Sequence, residues 1–126
     1  MFRSLTLIGI GSFIGGICRF LLQQFAQKHY PATIPLGTLT VNLIGCFFIG
    51  IIYQLAARGN VVSIEMRLFL ATGLCGGFTT FSAFASEKVL MVLDGNLNNA
   101  IFYTFLSVVT GFGAVHAGII LIKLIF

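Results

Sequence analysis

Four apolar segments occupy most of this chain of 126 residues. They span about residues 4–26, 34–57, 64–93 and 99–125, and short polar stretches separate them. A helix needs about 20 apolar residues to cross the roughly 30 Å of hydrocarbon in a bilayer. Only 8% of the residues are charged, whereas a soluble domain carries about 25%. The sequence therefore predicts an all-α integral membrane protein, with one domain of four transmembrane helices over residues 1–126.

The third segment contains a stretch that a regular transmembrane helix would not have. Residues 73–84 read Gly-Leu-Cys-Gly-Gly-Phe-Thr-Thr-Phe-Ser-Ala-Phe, with three glycines and three hydroxyls. Lipid offers no hydrogen bonds to freed backbone groups, so irregular backbone at this depth lies against protein, an ion or a water-filled cavity. Discontinuous helices of this kind form binding sites in transporters. We therefore expect the third helix to break near residues 74–80 and to form a binding site there.

Two other segments each carry a pair of polar residues at helical spacing. Thr38 and Asn42 share one face of the second helix, and Tyr103 and Ser107 share one face of the fourth. Polar groups inside a membrane are costly and often functional, but they also form hydrogen bonds between helices. The spacing supports contact with a solute and helix packing equally well.

Two phenylalanines follow the glycines of the third segment. Phe81 and Phe84 are three residues apart, so their rings lean to the same side of a helix. Such rings commonly pack in a core. A phenyl ring also carries partial positive charge at its edge, which allows contact with a small anion without the tight binding of a lysine. The spacing alone leaves both interpretations open.

Glycine pairs indicate where helices pack closely. Gly11 with Gly15, and Gly73 with Gly77, each have the GxxxG spacing that lets two helix backbones approach. We therefore predict tight helix packing at both pairs.

The charged residues narrow the class of function. No acidic residue lies at the centre of a segment, which argues against proton-coupled export of organic cations. The seven basic residues are scattered singly, so they form no patch for nucleic acid and suit the flanks of spans in contact with membrane lipid. The sequence shows no catalytic triad, metal cluster or phosphate-binding loop, and we expect no enzymatic activity.

The basic residues give little indication of orientation. The side that holds both termini collects four of them: Arg3, Arg58, Arg67 and Lys123. The opposite side holds Lys28 and Lys88, with Arg19 in addition if its side chain reaches outward. Basic cytoplasmic loops normally set orientation. The near balance fits either a protein with one weakly specified orientation or one that inserts both ways and pairs as an antiparallel dimer.

Separated motifs run along the whole length of the sequence. Residues 11–20 read Gly-Ser-Phe-Ile-Gly-Gly-Ile-Cys-Arg-Phe, residues 37–45 read Gly-Thr-Leu-Thr-Val-Asn-Leu-Ile-Gly, and Glu87 follows residues 73–84. The three stretches resemble, in order, the motifs G-G-x-x-G-A-x-x-R-Y, G-T-L-x-V-N-x-x-G and G-x-C-G-G-x-T-T-F-S-T-F of the Fluc (CrcB) family of fluoride channels, and Glu87 lies at the family's interval. The chain departs from the family's usual residues with Phe20 for tyrosine, Ala83 for threonine and Ala85 for a common serine.

The resemblance implies a fluoride-selective ion channel that exports fluoride passively across a bacterial inner membrane and so relieves fluoride toxicity. It also implies a dual-topology, antiparallel homodimer with two pores. The backbone carbonyls of Gly76 and Thr79 from both copies are implied to hold a structural central sodium ion.

The resemblance also assigns side chains to the route of the ion. The implied fluoride pathway contains six residues: Asn42, Phe81, Phe84, Ser107, Tyr103 and Thr38. Within it, Asn42 is implied to donate its amide protons. Gly111 is a further departure from the family, because it stands where a hydroxyl residue would continue the polar track. Arg19 is implied to anchor a loop or to add positive potential in a vestibule, and Glu87 to lie at a pore mouth.

A small dual-topology exporter of cationic drugs is the alternative, with similar length and number of spans. Such an exporter is expected to carry a glutamate in its first span, where this chain has Arg19. A non-transporting helical scaffold is a third possibility, for which Asn42 and the broken third span are unnecessary.

Overall fold

The computed structural model describes all 126 residues as helices joined by short loops. Helix α1 spans Phe2–His29 and α2 spans Leu36–Ala57. Helix α3 covers residues 64–78, α4 spans Phe81–Leu93, and α5 spans Leu97–Ile125. Helices α3 and α4 together form one membrane-length unit, so four units are long and apolar enough to cross a membrane. The predicted all-α architecture of four transmembrane helices with a broken third helix is confirmed.

Local sequence explains where the helices end. Pro35 precedes α2, where a missing N–H costs nothing because the first amides of a helix have no partner within it. Gly59 and Gly95 follow α2 and α4 with φ of +76° and +82°, a backbone region that favours glycine. Helix α1 extends beyond the apolar span of 4–26 because hydropathy reports where a helix crosses lipid, whereas backbone hydrogen bonding continues through polar residues at either end.

Glycines bring α1 and α3 into backbone contact. A Cβ on Gly11 would lie 2.5 Å from the carbonyl oxygen of Phe69, and one on Gly77 would lie 2.5 Å from that of Ser12. Gly15 and Gly73 face the opposite helix in the same way. The predicted close packing at both GxxxG pairs is confirmed, and the two pairs pack against each other.

A second glycine crossing joins α2 to α5. A Cβ on Gly50 would overlap the carbonyl oxygen of Val115, and one on Gly118 would overlap that of Phe47. Helix α4 rests mainly against α5 and has no buried residue. Only 17 of the 126 residues are buried, so the single chain leaves most of its apolar side chains for lipid or for another copy.

Candidate functional site

The third span is irregular through its middle. Residues Leu68–Cys75 form π-helical turns, and α3 ends at Phe78. The next two residues are extended: Thr79 has φ −81° and ψ 157°, and Thr80 has φ −149° and ψ 120°. Helix α4 then begins at Phe81. The structure thus places the break of the third helix at two adjacent threonines.

Asn42 holds this break from the neighbouring helix α2. Its Oδ1 accepts a hydrogen bond from the Thr80 N–H at 2.8 Å, and its Nδ2 donates to the Thr80 carbonyl at 3.1 Å. The side-chain amide therefore pairs with Thr80 in the manner of an adjacent β-strand. In a continuous helix the Thr80 N–H would bond to the Gly76 carbonyl instead.

Hydroxyls of the two threonines complete the support of the break. The Thr80 Oγ1 accepts from the Ala83 N–H at 3.2 Å, which makes Thr80 the N-cap of α4. The Thr79 Oγ1 donates to the Cys75 carbonyl at 2.9 Å. Gly45 on α2 leaves room for the Thr79 methyl group, because a Cβ there would overlap it. The break is therefore a fixed feature rather than a frayed helix end.

A groove of about 370 Å³ lies beside the break. It gathers four of the six residues of the implied fluoride pathway: Asn42, Phe81, Phe84 and Ser107. The Phe81 and Phe84 ring centroids are 5.8 Å apart with planes inclined at 45°, and Phe81 is 77% exposed in the single chain. None of the residues that line the groove is charged.

Ser107 differs from the other polar residues near the groove. Its Oγ is the chain's only buried side-chain nitrogen or oxygen atom without a hydrogen-bond partner. A buried polar group without a partner costs free energy, and such a group in a native structure calls for an explanation. Because Ser107 lines the groove, its hydroxyl is available to a small polar or anionic species there.

Thr38 and Tyr103 lie outside this groove and bind Glu87 instead. The Thr38 hydroxyl donates to Glu87 Oε1 at 2.5 Å, and the Tyr103 hydroxyl donates to Oε2 at 3.2 Å. Gln23 on α1 donates to the Thr38 oxygen at 3.1 Å. Both hydroxyl residues are buried, whereas Glu87 is half-buried. Four helices thus meet at one carboxylate, whose two oxygens receive charge-assisted hydrogen bonds.

Glu87 also borders a cavity of about 680 Å³, which lies next to the loop between α1 and α2. Thr38 lines this cavity as well. The carboxylate therefore stands between an open cavity and the buried Tyr103. Its place at the mouth of a pathway stays a prediction.

Arg19 lies on another side of the break. Its Nη1 donates to the Thr79 carbonyl at 3.4 Å, so the guanidinium contacts the extended segment itself. It also lines a cavity of about 440 Å³ whose other walls are mostly polar: Gln23, Thr80, Ser82, Ala83 and Ser86. This arrangement is compatible with both roles expected of Arg19, anchoring and positive potential.

The carbonyls expected to hold a cation are only partly free. The Gly76 carbonyl accepts no backbone hydrogen bond, because Asn42 takes the Thr80 N–H, and Gly76 is exposed. The Thr79 carbonyl oxygen already accepts a hydrogen bond from Arg19, which leaves one lone pair free. One chain offers two of the four carbonyls expected to bind the sodium ion, so a second copy would have to supply the other two. This sodium site stays a prediction.

Sequence reasoning missed four residues that the structure places at or beside the site. They are Gln23, Cys46, Thr80 and Lys88. The spacing of Gln23 from Arg19 and of Lys88 from Phe84, four residues in each case, indicates shared helix faces. Thr80 before an apolar helical run has the character of an N-cap. No sequence pattern indicates that Cys46 lines the groove.

These features define a class of protein: a four-span membrane protein whose broken helix borders an uncharged, aromatic groove. Residues 6–119 match the family described as CrcB-like protein, Camphor Resistance (CrcB). The chain belongs to this family, whose curated members named below are ion channels. It is therefore a multi-pass membrane protein and not an enzyme, and the family match favours the channel over the drug exporter.

Three curated relatives of the chain are each named Fluoride-specific ion channel FluC. The relative from Azobacteroides pseudotrichonymphae is 37% identical over 96% of this chain and 97% of its own length. That from Chlorobium phaeobacteroides strain BS1 is 42% identical over 98% and 95%. That from Agrobacterium fabrum is 41% identical over 98% of both chains.

Proposed function

We propose that this chain forms a fluoride-selective ion channel that lets fluoride leave the cell passively and so relieves fluoride toxicity. The groove beside the break carries this proposal, because it gathers Asn42, Phe81, Phe84 and Ser107 around a space without charged side chains. The names of the three relatives support fluoride as the ion.

The chemistry of the groove suits a small anion in transit. The free Ser107 hydroxyl can donate a hydrogen bond, and the ring edges of Phe81 and Phe84 carry partial positive charge. No lysine or arginine lines the groove to hold an anion tightly, and no carboxylate lines it to repel one. Conduction requires binding that is strong enough for entry and weak enough for release.

The working unit of this proposal is an antiparallel, dual-topology homodimer in a bacterial inner membrane. Phe81 and Gly76 are both exposed in the single chain, on either side of the break. A second copy related by a two-fold axis would contribute the same groove, giving two pores. The near balance of basic residues between the two sides is consistent with insertion in both orientations.

A structural sodium ion is a further part of the proposal. The Gly76 and Thr79 carbonyls of both copies would hold it, and the bound ion would add fixed positive charge between the two broken helices. Asn42 prepares this site within each chain, since it withdraws the Thr80 N–H from the Gly76 carbonyl.

The decisive measurement is fluoride release from liposomes that contain the purified protein. We expect fast release, recorded with a fluoride electrode, that requires valinomycin to carry potassium as the compensating charge. Chloride release should be negligible. Liposomes without protein are the control, and fluoride release coupled to an opposing proton flux would contradict a channel.

A matched pair of variants tests the site. Phe81→Ile should reduce fluoride release at least tenfold, because it removes a ring from the groove. Phe112→Ile is the control, since Phe112 is 75% exposed on α5 but does not line the groove. Equal release by these two variants would show that the groove is not the pathway.

A further inference from the structure

Lys88 places its ammonium group on the aromatic pair at the end of the groove. The rings of Phe84 and Tyr103 meet edge to face, with centroids 5.4 Å apart and planes inclined at 62°. The Lys88 Nζ lies over the Phe84 ring and 4.3 Å from the centroid of the Tyr103 ring. It also donates to the Phe84 carbonyl at 3.4 Å. The contacts of this ammonium are thus concentrated on two aromatic residues.

This position is unusual for a lysine near the end of a membrane span. Such side chains normally extend toward the interface and keep the charge in water. Lys88 is instead half-buried and turns back by one helical turn onto Phe84. Its neighbour Glu87 bonds to Thr38 and Tyr103, and it forms no ion pair with Lys88, since the chain's one ion pair joins Arg3 and Glu65.

A cation on a ring face changes what the ring offers elsewhere. The face of a phenyl ring is negative and its edge is positive, so the ammonium is attracted to the face. The same charge draws ring electrons toward that face and leaves the edge hydrogens more positive. Phe84 lines the groove and Lys88 does not. The lysine can therefore strengthen an anion contact through the ring while its own ammonium stays out of the path.

We propose that Lys88 is a positioning residue that strengthens the contact between the Phe84 ring and a passing anion. This inference depends on the proposed fluoride conduction. The residue acts through Phe84 and is not itself a ligand of the ion.

The test compares variants of Lys88 in the liposome assay, with release normalised to the amount of folded protein. Lys88→Met keeps the length of the side chain but removes the charge, and it should lower fluoride release roughly fivefold, the order expected for a partly desolvated cation–π contact. Lys88→Arg should retain most of the release. Lys28→Met is the control for a general loss of positive charge, and it should leave release unchanged. If Lys88→Met folds poorly, Lys88→Gln serves in its place.

A double-mutant cycle separates a role through the ring from a role of charge alone. In a Phe84→Leu or Phe84→Met background, Lys88→Met should have little further effect, because no ring remains to transmit the charge. The same fivefold loss in that background would overturn action through the ring. Undiminished release by Lys88→Met, with the unmutated protein conducting fluoride, would overturn the inference and leave the channel function intact. Absence of release from the unmutated protein would instead contradict the proposed function.

Discussion

The two halves of the third span are held in opposite ways. Helix α3 packs against α1 through glycines, where backbone touches backbone and no methyl group fits. Helix α4 has no buried residue, and polar contacts fix its start: the pairing of Asn42 with Thr80 and the Thr80 cap. The rigid packing of α3 against α1 thus fixes where the break lies. Hydrogen bonds at Thr80 then orient α4, whose side chains remain free to line cavities.

This contrast indicates which changes each half tolerates. A side chain added at the glycines where α3 crosses α1 cannot be accommodated, because the neighbouring atoms belong to the backbone of α1. A larger or smaller side chain on α4 should be tolerated better, because this helix faces lipid, a cavity or another copy. Loss of a polar contact at the start of α4 should be costly, because it leaves buried backbone groups without hydrogen-bond partners.

The largest expected effect comes from a methyl group in the glycine crossing. Gly15→Ala should destabilise the protein by about 3 kcal/mol or more, because the new Cβ would overlap the Leu74 carbonyl oxygen and lie 2.8 Å from the Phe78 nitrogen. Size-exclusion chromatography after heating would show early loss of the folded peak.

The adjacent glycine provides the control for this variant. Gly16→Ala adds the same methyl group one residue later, where a Cβ meets nothing within 4 Å. It should leave the thermal stability of the chain close to that of the unmutated protein. Equal loss in both variants would show that helix propensity or assembly, and not the crossing with α3, determines the effect.

The next effect concerns the bond that holds the start of α4. Asn42→Asp keeps an oxygen for the Thr80 N–H but replaces the donor to the Thr80 carbonyl with a second oxygen. We expect a loss of about 2 kcal/mol in the free energy of unfolding and at least a tenfold fall in fluoride release, since negative charge enters the groove. Thermal unfolding and the liposome assay would measure the two effects.

Asn98→Asp adds the same charge at an exposed site outside the groove and is the matched control. It should leave release unchanged. If Asn42→Asp conducts as well as this control, the amide of Asn42 has no part in the pathway.

Two native cysteines distinguish the groove from the packed helix α3 without any change of fold. Cys46 lines the groove, whereas Cys75 is 4% exposed within α3. Silver ion, which is small and binds thiols, should therefore block fluoride release in chloride-free buffer. Cys46→Ala should abolish the block, and Cys75→Ala should preserve it. Persistent block in Cys46→Ala would place the reactive thiol outside the groove.

Much of the fold could be predicted from the sequence because lipid imposes simple rules. Length and hydropathy indicate the four spans, and residues 73–84 indicate the break in the third. The spacing of Gly11 from Gly15 predicts a close crossing, but not that the partner is the Gly73–Gly77 pair. Which glycine pairs pack together depends on how the helices are arranged, and the residue spacing within one helix does not indicate that arrangement.

The candidate site was harder to predict, because its polar groups are shared between helices. Helical spacing placed Tyr103 and Ser107 on one face. In the structure the Tyr103 hydroxyl bonds to Glu87, whereas the Ser107 hydroxyl has no hydrogen-bond partner and lines the groove. Whether a hydroxyl is available to an ion depends on whether a residue of another helix already bonds to it. A single sequence does not identify that residue.

The smallest expected effect compares the two hydroxyl caps of the third span. Thr80 caps α4 inside the protein, and Ser63 caps α3 at its exposed start, where its Oγ accepts from the Met66 N–H at 3.1 Å. Thr80→Val and Ser63→Ala each remove one cap, and each should cost about 1 kcal/mol in thermal unfolding. Only Thr80→Val should also slow fluoride release, by about two- to threefold, because its cap orients the helix that carries Phe81 and Phe84. If Ser63→Ala slows release equally, the two halves move as one body and the proposed division between a packed half and an oriented half is wrong.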